Sequence, residues 1–306
     1  MNILGKRYYF FALSLVLITS GLILLAIKGF PLSIDFTGGS LLEVQFEEGK
    51  TPDTETILSI YEDGEIADAQ VTTTDAGSLI IRSSFLTNEV RDTVLKALQE
   101  NSGADVTVIR FDSVGPSIGK QVTQRAALAI AVSSLLVVLF IVWSFRKVEN
   151  AFRYGVCAIV AMIHDIAIIF SITGVGVYFF EWQIDSLFLT ALLTVIGFSM
   201  QDTIVVFDRI RENSSLLRRL EFEKLVNHSI VQTLQRSINT QLMTVEFLLF
   251  ALALFGGVTL QEFAVILLVG LLSGTYSSIF VAAPILVLWE NREWTTWFKR
   301  KEEAAI

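Results

Sequence analysis

One acidic side chain lies inside an apolar stretch of the sequence that is long enough to cross a lipid bilayer. Asp202 falls within Leu187–Phe207, where most neighbours are apolar or small. A carboxylate at membrane depth is energetically costly, so such residues are usually paired or functional. The chemistry that this position suggests is the binding and release of a proton or a small cation.

Arg236 is the predicted partner of Asp202. It stands near the start of the next apolar block, 34 residues further along the chain, after a charged segment that lets the chain turn back. An ion pair would offset part of the burial cost of each group. Two interpretations follow: an electrostatic switch, in which Asp202 exchanges a proton beside Arg236, or a static pair that fixes the register of two helices.

Two further carboxylates complete a predicted ion or proton relay of Asp202, Arg236, Asp165 and Glu246. Asp165 follows His164 in the third span, where it either extends a proton path or hydrogen-bonds a neighbouring helix. Glu246 interrupts the fifth apolar block, which suggests that it faces a polar cavity. His164 is interpreted as a packed residue, because no second histidine lies in a span to complete a metal site.

Polar and small residues near these positions are predicted to support helix packing. Hydrogen bonds between helices are expected from Gln201, Asn239, Thr240, Gln241 and Thr244. Gly270 and Gly274, together with the small residues Ser273, Ser277 and Ser278, form a small-xxx-small pattern, which lets another helix come close. That helix belongs either to this chain or to a second subunit.

Six apolar blocks position these residues, and each approaches or exceeds the ~20 residues that span hydrocarbon. They are Tyr9–Ile27, Ala126–Phe145, Tyr154–Val175, Leu187–Phe207, Ile238–Phe255 and Phe263–Trp289. The first block is too long for a signal peptide and lacks a small-residue cleavage site. The sequence therefore predicts a polytopic α-helical membrane protein with six transmembrane helices. The predicted divisions are 1–28 for the first helix, 29–120 for an outer domain and 121–306 for helices two to six.

Lysine and arginine are concentrated in the segments that share a side of the membrane with the N-terminus. The two short loops on the other side, Gly176–Ser186 and Gly256–Glu262, contain neither residue. Positively charged short loops stay in the cytoplasm. We therefore expect a multi-pass protein surrounded by membrane lipid, with both termini cytoplasmic and the 29–120 domain facing outward.

The outer domain is predicted to have the element order β-α-β-β-α-β. Its strands are Ser40–Glu48, Ala69–Thr74, Ser78–Ser83 and Asp105–Phe111, and its helices are Asp53–Tyr61 and Asn88–Glu100. This order is typical of a small α+β ferredoxin-like domain. The domain carries 16 Asp and Glu against 6 Lys and Arg, which argues against nucleic acid as a partner.

No pattern in the outer domain indicates catalysis. This domain contains no phosphate-binding glycine loop, no nucleophile–base set and no metal cluster. The single cysteine of the chain, Cys157, excludes a disulfide framework. We therefore expect no catalytic residue, no metal and no cofactor.

Two glycine motifs border the outer domain. Asp35-Phe36-Thr37-Gly38-Gly39 precedes it, and Gly115-Pro116 follows it. Glycine permits tight turns and close backbone approach. The motifs are either rigid connectors to the bilayer or hinges that pass movement from the helices to the domain.

These motifs, together with His164-Asp165, Asp202–Asn213 and Arg236–Thr240, resemble the SecF proteins, export-associated subunits of the bacterial Sec translocase. The resemblance covers essentially the whole chain. It implies half of an RND-type bundle in the bacterial inner membrane, paired with SecD. It also implies action with the SecYEG channel and accessory membrane subunits on a translocating unfolded polypeptide. In such proteins the proton-motive force, or a sodium gradient, assists translocation. The resemblance also implies that this subunit is not an enzyme and has no ATPase or other hydrolytic activity.

Two other functions stay open from the residues themselves. One is a scaffold that stabilises a translocase complex without transporting ions. The other is a small RND-type exporter half, which is disfavoured because such exporters generally have more spans and far larger external domains. The sequence also departs from the usual family pattern beside Asp202, with Gln201 in place of asparagine and Phe198 in place of tyrosine.

Overall fold

A computed structural model describes residues 3–47, 50–73, 77–146, 151–241, 247–256 and 258–293 of the protein. The chain divides into two compact units. The first comprises Met1–Pro31 and Ala129–Ile306, and the second comprises Leu32–Leu128. The apolar helices lie mainly in the first unit, and the second unit contains the β-sheet.

A long helix comes first in the chain, the strands and short helices of the β-sheet unit follow, and the remaining elements are helices. In chain order the elements are a 3-10 turn (Leu4–Lys6), α1 (Arg7–Lys28), α2 (Ile34–Thr37), β1 (Gly39–Phe46), α3 (Thr54–Asp63), β2 (Gln70–Thr73), β3 (Leu79–Ser83), α4 (Asn88–Ser102), β4 (Val106–Val114), α5 (Pro116–Phe145), α6 (Ala151–Phe180), α7 (Ser186–Leu216), α8 (Phe222–Gln241), α9 (Phe247–Phe255), α10 (Val258–Ser277), a π-helical segment (Ser278–Ala282) and α11 (Ala283–Glu290).

Five helical stretches among the described residues are long and apolar enough to cross a membrane. They are Leu4–Lys28, Pro116–Phe145, Ala151–Phe180, Ser186–Leu216 and Leu260–Glu290. The structure describes the sixth predicted span, Ile238–Phe255, only in part, because residues 242–246 are not among those described. Six spans therefore stay a prediction.

α1 and α6 meet at a contact that leaves no room for side chains. A Cβ atom added to Gly174 would lie 2.1 Å from the backbone oxygen of Gly21, and one added to Gly21 would lie 2.1 Å from that of Ser171. The Ser171 hydroxyl donates to the Leu17 carbonyl across the same contact, at 2.6 Å. Small residues allow membrane helices to approach this closely, so this contact sets the position of α1 on α6.

α10 packs on α7 along the predicted small-residue pattern. A Cβ atom added to Gly270 would lie 2.4 Å from Cγ2 of Val195. One added to Gly274 would lie 3.1 Å from Cα of Ser199. Gly270 and Gly274 therefore face a helix of the same chain.

The second unit is built on a four-stranded antiparallel sheet in the order β2-β3-β1-β4. The sequence of elements, β1-α3-β2-β3-α4-β4, is the predicted one. The side chains of Asp53 and Thr87 cap the N-termini of α3 and α4, where their oxygens satisfy backbone N–H groups that have no helical partner. Alternation along β1 directs Leu42, Val44 and Phe46 into the core beneath the helices.

The two glycine motifs pack against each other within this unit. Gly38 and Gly39 have φ angles of +75° and +127°, which favour glycine because it lacks Cβ. A Cβ atom added to Gly38 would lie 2.8 Å from Cα of Pro116, and one added to Gly119 would lie 2.6 Å from the Gly38 nitrogen. The motifs therefore form a single junction, which we call the glycine junction.

The other predicted hinge residues flank the glycine junction. The backbone N–H of Asp35 donates to the Ser33 hydroxyl at 3.3 Å, at the start of α2. Pro116 is the first residue of α5, where its fixed φ suits a helix N-terminus, and Gly115 precedes it. These contacts describe a close-packed connector, and the predicted hinge motion stays a prediction.

The π-helical segment Ser278–Ala282 interrupts the last long helix. Pro284 follows it closely and has no N–H to donate to the carbonyl of Phe280. In a regular α-helix the proline ring would also crowd that carbonyl. The wider π turn accommodates this, and such segments frequently occur at functional sites.

Tyr61→Phe is expected to stabilise the second unit. The Tyr61 side chain is fully buried in the core, and its hydroxyl has no hydrogen-bond partner among the described residues. An unsatisfied buried polar group costs about 1–3 kcal/mol, so its removal raises the free energy of unfolding by up to about that amount. Hydrogen exchange within Leu32–Leu128 of the full chain would measure the gain, with the exposed Tyr9→Phe as control.

The same substitution changes the alkaline stability of the protein. Burial raises the pKa of Tyr61, so above the ordinary tyrosine value of about 10 the unfolded chain releases this proton before the folded chain does. The stability contributed by Tyr61 is therefore present below that pH and declines as the pH rises. Tyr61→Phe removes this decline, and an equal alkaline loss in both proteins would contradict the assignment.

Candidate ion-coupling site

Asp165 is the centre of a buried hydrogen-bond cluster between α6, α7 and α10. Only 1% of Asp165 is exposed. Three serine hydroxyls donate to its carboxylate: Ser199 at 2.5 Å, Ser273 at 2.6 Å and Ser277 at 2.7 Å. Nδ1 of His164 lies 3.0 Å from Oδ1 of Asp165. Each carboxylate oxygen thus has two partners, as a buried charged group requires.

His164 connects this cluster to α1. Its Nε2 lies 3.0 Å from the hydroxyl oxygen of Ser14, and its ring stacks on Tyr276 at 5.9 Å between centroids. The Ser14 hydroxyl donates to the Tyr276 hydroxyl at 3.2 Å, which donates to the Phe10 carbonyl at 2.8 Å. A chain of hydrogen bonds therefore runs from Asp165 to the backbone of α1.

Asp202 is the second buried carboxylate, with 6% of its surface exposed. Its Oδ2 accepts hydrogen bonds from Nε2 of Gln241, on α8, at 3.0 Å and from the hydroxyl of Thr275, on α10, at 2.9 Å. Both donors are neutral, so they stabilise the carboxylate without cancelling its charge. Within the described ranges, no salt bridge includes Asp202.

The two carboxylate centres share α7 and α10. Ser199, which contacts Asp165, stands three residues before Asp202 on α7. The hydroxyl of Thr203 donates to the Ser199 carbonyl at 3.0 Å and lies 2.9 Å from the hydroxyl of Ser278. The α7 residues that belong to the two centres and to this link therefore lie within about one turn of that helix.

Among the described residues, Asp202 and Arg236 do not form the predicted ion pair. Arg236 is exposed on α8, whereas Gln241 of the same helix is buried and contacts Asp202. Residues five apart on an α-helix point about 140° away from each other, so α8 cannot direct both side chains at α7. Glu246, the fourth predicted relay member, lies outside the described residues.

Three of the residues that were predicted to form hydrogen bonds between helices are exposed. Gln201 is exposed and lines a groove of about 790 Å³ between α5 and α7. Asn239 and Thr240 are exposed on α8. Of the predicted residues, Gln241 does form a hydrogen bond between helices, to Asp202, and Thr275, which was not predicted, forms another. Thr244 lies outside the described residues.

Sequence reasoning missed the serines that surround Asp165. Ser273 and Ser277 were interpreted only as small residues, and Ser199 was not identified. The signal was present in the spacing, because residues four apart on a helix share one face. Two hydroxyls on one face of an apolar helix need a polar partner, and Asp165 is that partner.

The arrangement is suited to the chemistry of protons. Among the residues that the structure describes, no group of three or more His, Cys, Asp and Glu could hold a metal ion. Asp165 and Asp202 are instead surrounded by hydroxyl, amide and imidazole groups. Such partners can stabilise either the charged or the neutral state of an acid, depending on which way each hydrogen points.

Two family models match the chain. The model described as "Protein export membrane protein SecD/SecF, C-terminal" matches residues 94–292. The model described as "SecD/SecF GG Motif" matches residues 23–50, which include Gly38 and Gly39 of the glycine junction.

Individual relatives match along the whole chain. The protein translocase subunit SecF of Anaerolinea thermophila is 61% identical, over 100% of this chain and 99% of its own length. The corresponding subunit of Thermobaculum terrenum is 42% identical, with the same coverage. A crystal structure of SecDF, a translocon-associated membrane protein from Thermus thermophilus, matches with a TM-score of 0.79 at 34% identity. That match covers 95% of this chain and 39% of the longer SecDF chain.

Proposed function

Because this chain belongs to the SecD/SecF family of protein export membrane proteins, we propose that it pairs with SecD and couples an ion gradient to polypeptide translocation. The gradient is the proton-motive force or a sodium gradient. The Thermus thermophilus relative named SecDF, of which this chain spans 39%, supports the pairing. The energy available is ~2.3 kcal/mol for each elementary charge that crosses 100 mV.

The observation that carries this proposal is the position of Asp202. Its carboxylate is buried in an apolar helix and is held by two neutral donors, without a salt bridge among the described residues. An unneutralised charge at this depth is costly, so binding a cation or a proton stabilises the site. Release of that ion reverses the stabilisation and changes how α7 packs on α8 and α10.

The proposed arrangement in the membrane follows from the same helices. The chain forms six transmembrane helices, half of an RND-type bundle, in a bacterial inner membrane with both termini cytoplasmic. The β-α-β-β-α-β unit is a ferredoxin-like domain on the outer side. Its proposed partners are the emerging polypeptide and neighbouring translocase subunits, with SecYEG as the channel.

Asp202→Asn is expected to abolish the gradient-dependent part of export while leaving basal export and assembly with SecD intact. Asparagine keeps the shape and can still accept from Gln241 and Thr275, but it cannot bind a proton or carry a charge. Export of a substrate into vesicles that contain the full complex would be measured with and without a gradient.

Asp208→Asn is the matched control. Asp208 lies on the same helix, is exposed and pairs with Arg211, so this variant retains gradient-stimulated export. Full stimulation of Asp202→Asn would rule out the proposed coupling site. A wild-type complex that shows neither stimulation nor ion flux would favour the scaffold function.

A further inference from the structure

Hydrogen-bond donors and acceptors around Ser14 determine where one proton of His164 lies. The Tyr276 hydroxyl has a single proton, which it donates to the Phe10 carbonyl. Its oxygen can therefore only accept from Ser14, at 3.2 Å. This uses the single proton of Ser14, so Ser14 faces His164 as an acceptor, and Nε2 of His164 must carry the hydrogen of their 3.0 Å contact.

The second ring nitrogen of His164 faces a carboxylate that already accepts three hydrogen bonds. The Ser199, Ser273 and Ser277 hydroxyls stabilise the ionised form of Asp165. An ionised carboxylate and a bare Nδ1 would place two lone pairs 3.0 Å apart. A proton on Nδ1 replaces that repulsion with a charge-assisted hydrogen bond.

We infer that His164 and Asp165 form a second proton-binding site, in which His164 is an imidazolium with protons on both nitrogens. The pair has no net charge, which limits the cost of burying it where His164 is only 9% exposed. The site itself follows from the hydrogen-bond geometry alone. Its use in export rests on the proposed function.

The other ionisable groups on the helices packed against α6 do not replace this pairing. Tyr276 of α10 stacks on the His164 ring, and Asp202 of α7 bonds to Gln241 and Thr275. On α11, Glu290 pairs with Arg153 in the first turn of α6, and on α1, Arg7 pairs with Glu293. Asp165 is therefore the counter-ion of His164.

Loss of the proton has a defined consequence for α1. When an N–H bond of the imidazolium breaks and its proton passes to water, His164 keeps one N–H. If that hydrogen stays on Nδ1 to face Asp165, Nε2 becomes an acceptor. Ser14 must then rotate its hydroxyl from Tyr276 to His164. Whether His164 carries its second proton therefore changes the hydrogen bond between Ser14 of α1 and Tyr276 of α10.

Nitrogen-15 NMR of the full chain in lipid vesicles tests this inference, because the sequence contains only two histidines. Ring-labelled histidine would give one set of signals for His164 and one for His228, assigned with His228→Gln. At pH 8 an unpaired imidazole is neutral, since its ordinary pKa is about 6.5. We expect His164 to show two protonated ring nitrogens at that pH, and a neutral ring would overturn the inference.

Two variants separate the roles of the partners. Asp165→Asn is expected to convert His164 to the neutral ring at pH 8, and an unchanged imidazolium signal would contradict the pairing. Ser14→Ala removes the acceptor for the Nε2 proton and is expected to shift the Nε2 nitrogen signal of His164, whereas an unchanged signal would contradict the role of Ser14. Ser20→Ala is the control on α1, because its hydroxyl is exposed and bonds only within its own helix.

The NMR result and the export result are independent. Gradient-stimulated export by Asp202→Asn would overturn the proposed function. It would not affect the assignment of an imidazolium at His164. A neutral His164 in the wild-type chain would remove this second site while leaving the Asp202 proposal in place.

Discussion

Gly174→Ala is expected to destabilise the helix bundle by at least about 3 kcal/mol, the upper part of the range for overpacked cores. The added Cβ would lie 2.1 Å from the Gly21 backbone oxygen. Backbone atoms cannot rotate away as a side chain can, so α1 must separate from α6. The shift would also break the Ser171–Leu17 hydrogen bond and draw Ser14 away from His164. Denaturant unfolding of the full chain in detergent micelles would measure the loss.

Gly197→Ala is the matched control for this prediction. Gly197 lies within α7, another long apolar helix, but outside its own helix no described residue has an atom within 4 Å of an added Cβ. Alanine favours a helix by about 1 kcal/mol over glycine, so this variant is expected to be neutral or slightly more stable. Equal stability of the two variants would show that the α1–α6 contact does not constrain the bundle.

Gly38→Ala is expected to destabilise the second unit by roughly 2–5 kcal/mol. Two effects add. The φ angle of +75° is unfavourable for alanine, and the new Cβ would lie 2.8 Å from Cα of Pro116. Because Pro116 begins α5, the clash would push the first turn of that helix away from β1. Hydrogen exchange of the backbone amides of β1 and β4 in the full chain would measure this opening.

Two other glycines of the same unit separate the two effects. Gly103 has a φ of +60°, but apart from its chain neighbours no described residue has an atom within 4 Å of an added Cβ, so Gly103→Ala is expected to show only the conformational cost. Gly115 has neither a positive φ nor a close neighbour, and Gly115→Ala is expected to be nearly neutral. If Gly38→Ala is no worse than Gly103→Ala, the close packing at the glycine junction does not contribute to stability.

The second unit was predictable because its signals are local. Thr87 marks the start of α4, and the alternation after Gly39 marks β1, since caps and period-two patterns act over a few residues. The predicted strand boundaries differ from the observed ones by at most three residues. The closure of the glycine junction was not predictable, because it depends on how distant segments meet.

The candidate site was only partly predictable. The energetic cost of a buried carboxylate identified Asp165 and Asp202 from the sequence, and both are buried. Charge alone suggested Arg236 as a partner, but the rotation of α8 about its axis directs Gln241 at Asp202 instead. That rotation is set by packing along the whole helix, and a single sequence does not reveal it.

The π-helical segment Ser278–Ala282 sets the rotational phase between α10 and α11. A π turn holds about one residue more than an α turn, so residues beyond it are rotated by roughly 100° relative to an uninterrupted α-helix. α10 can therefore direct Ser273 and Ser277 at Asp165 while α11 buries Leu286 and Val287. Deleting one residue from the segment would misalign one of these faces even if every contact residue were retained. The number of residues between the serines and α11 is thus as constrained as their identity.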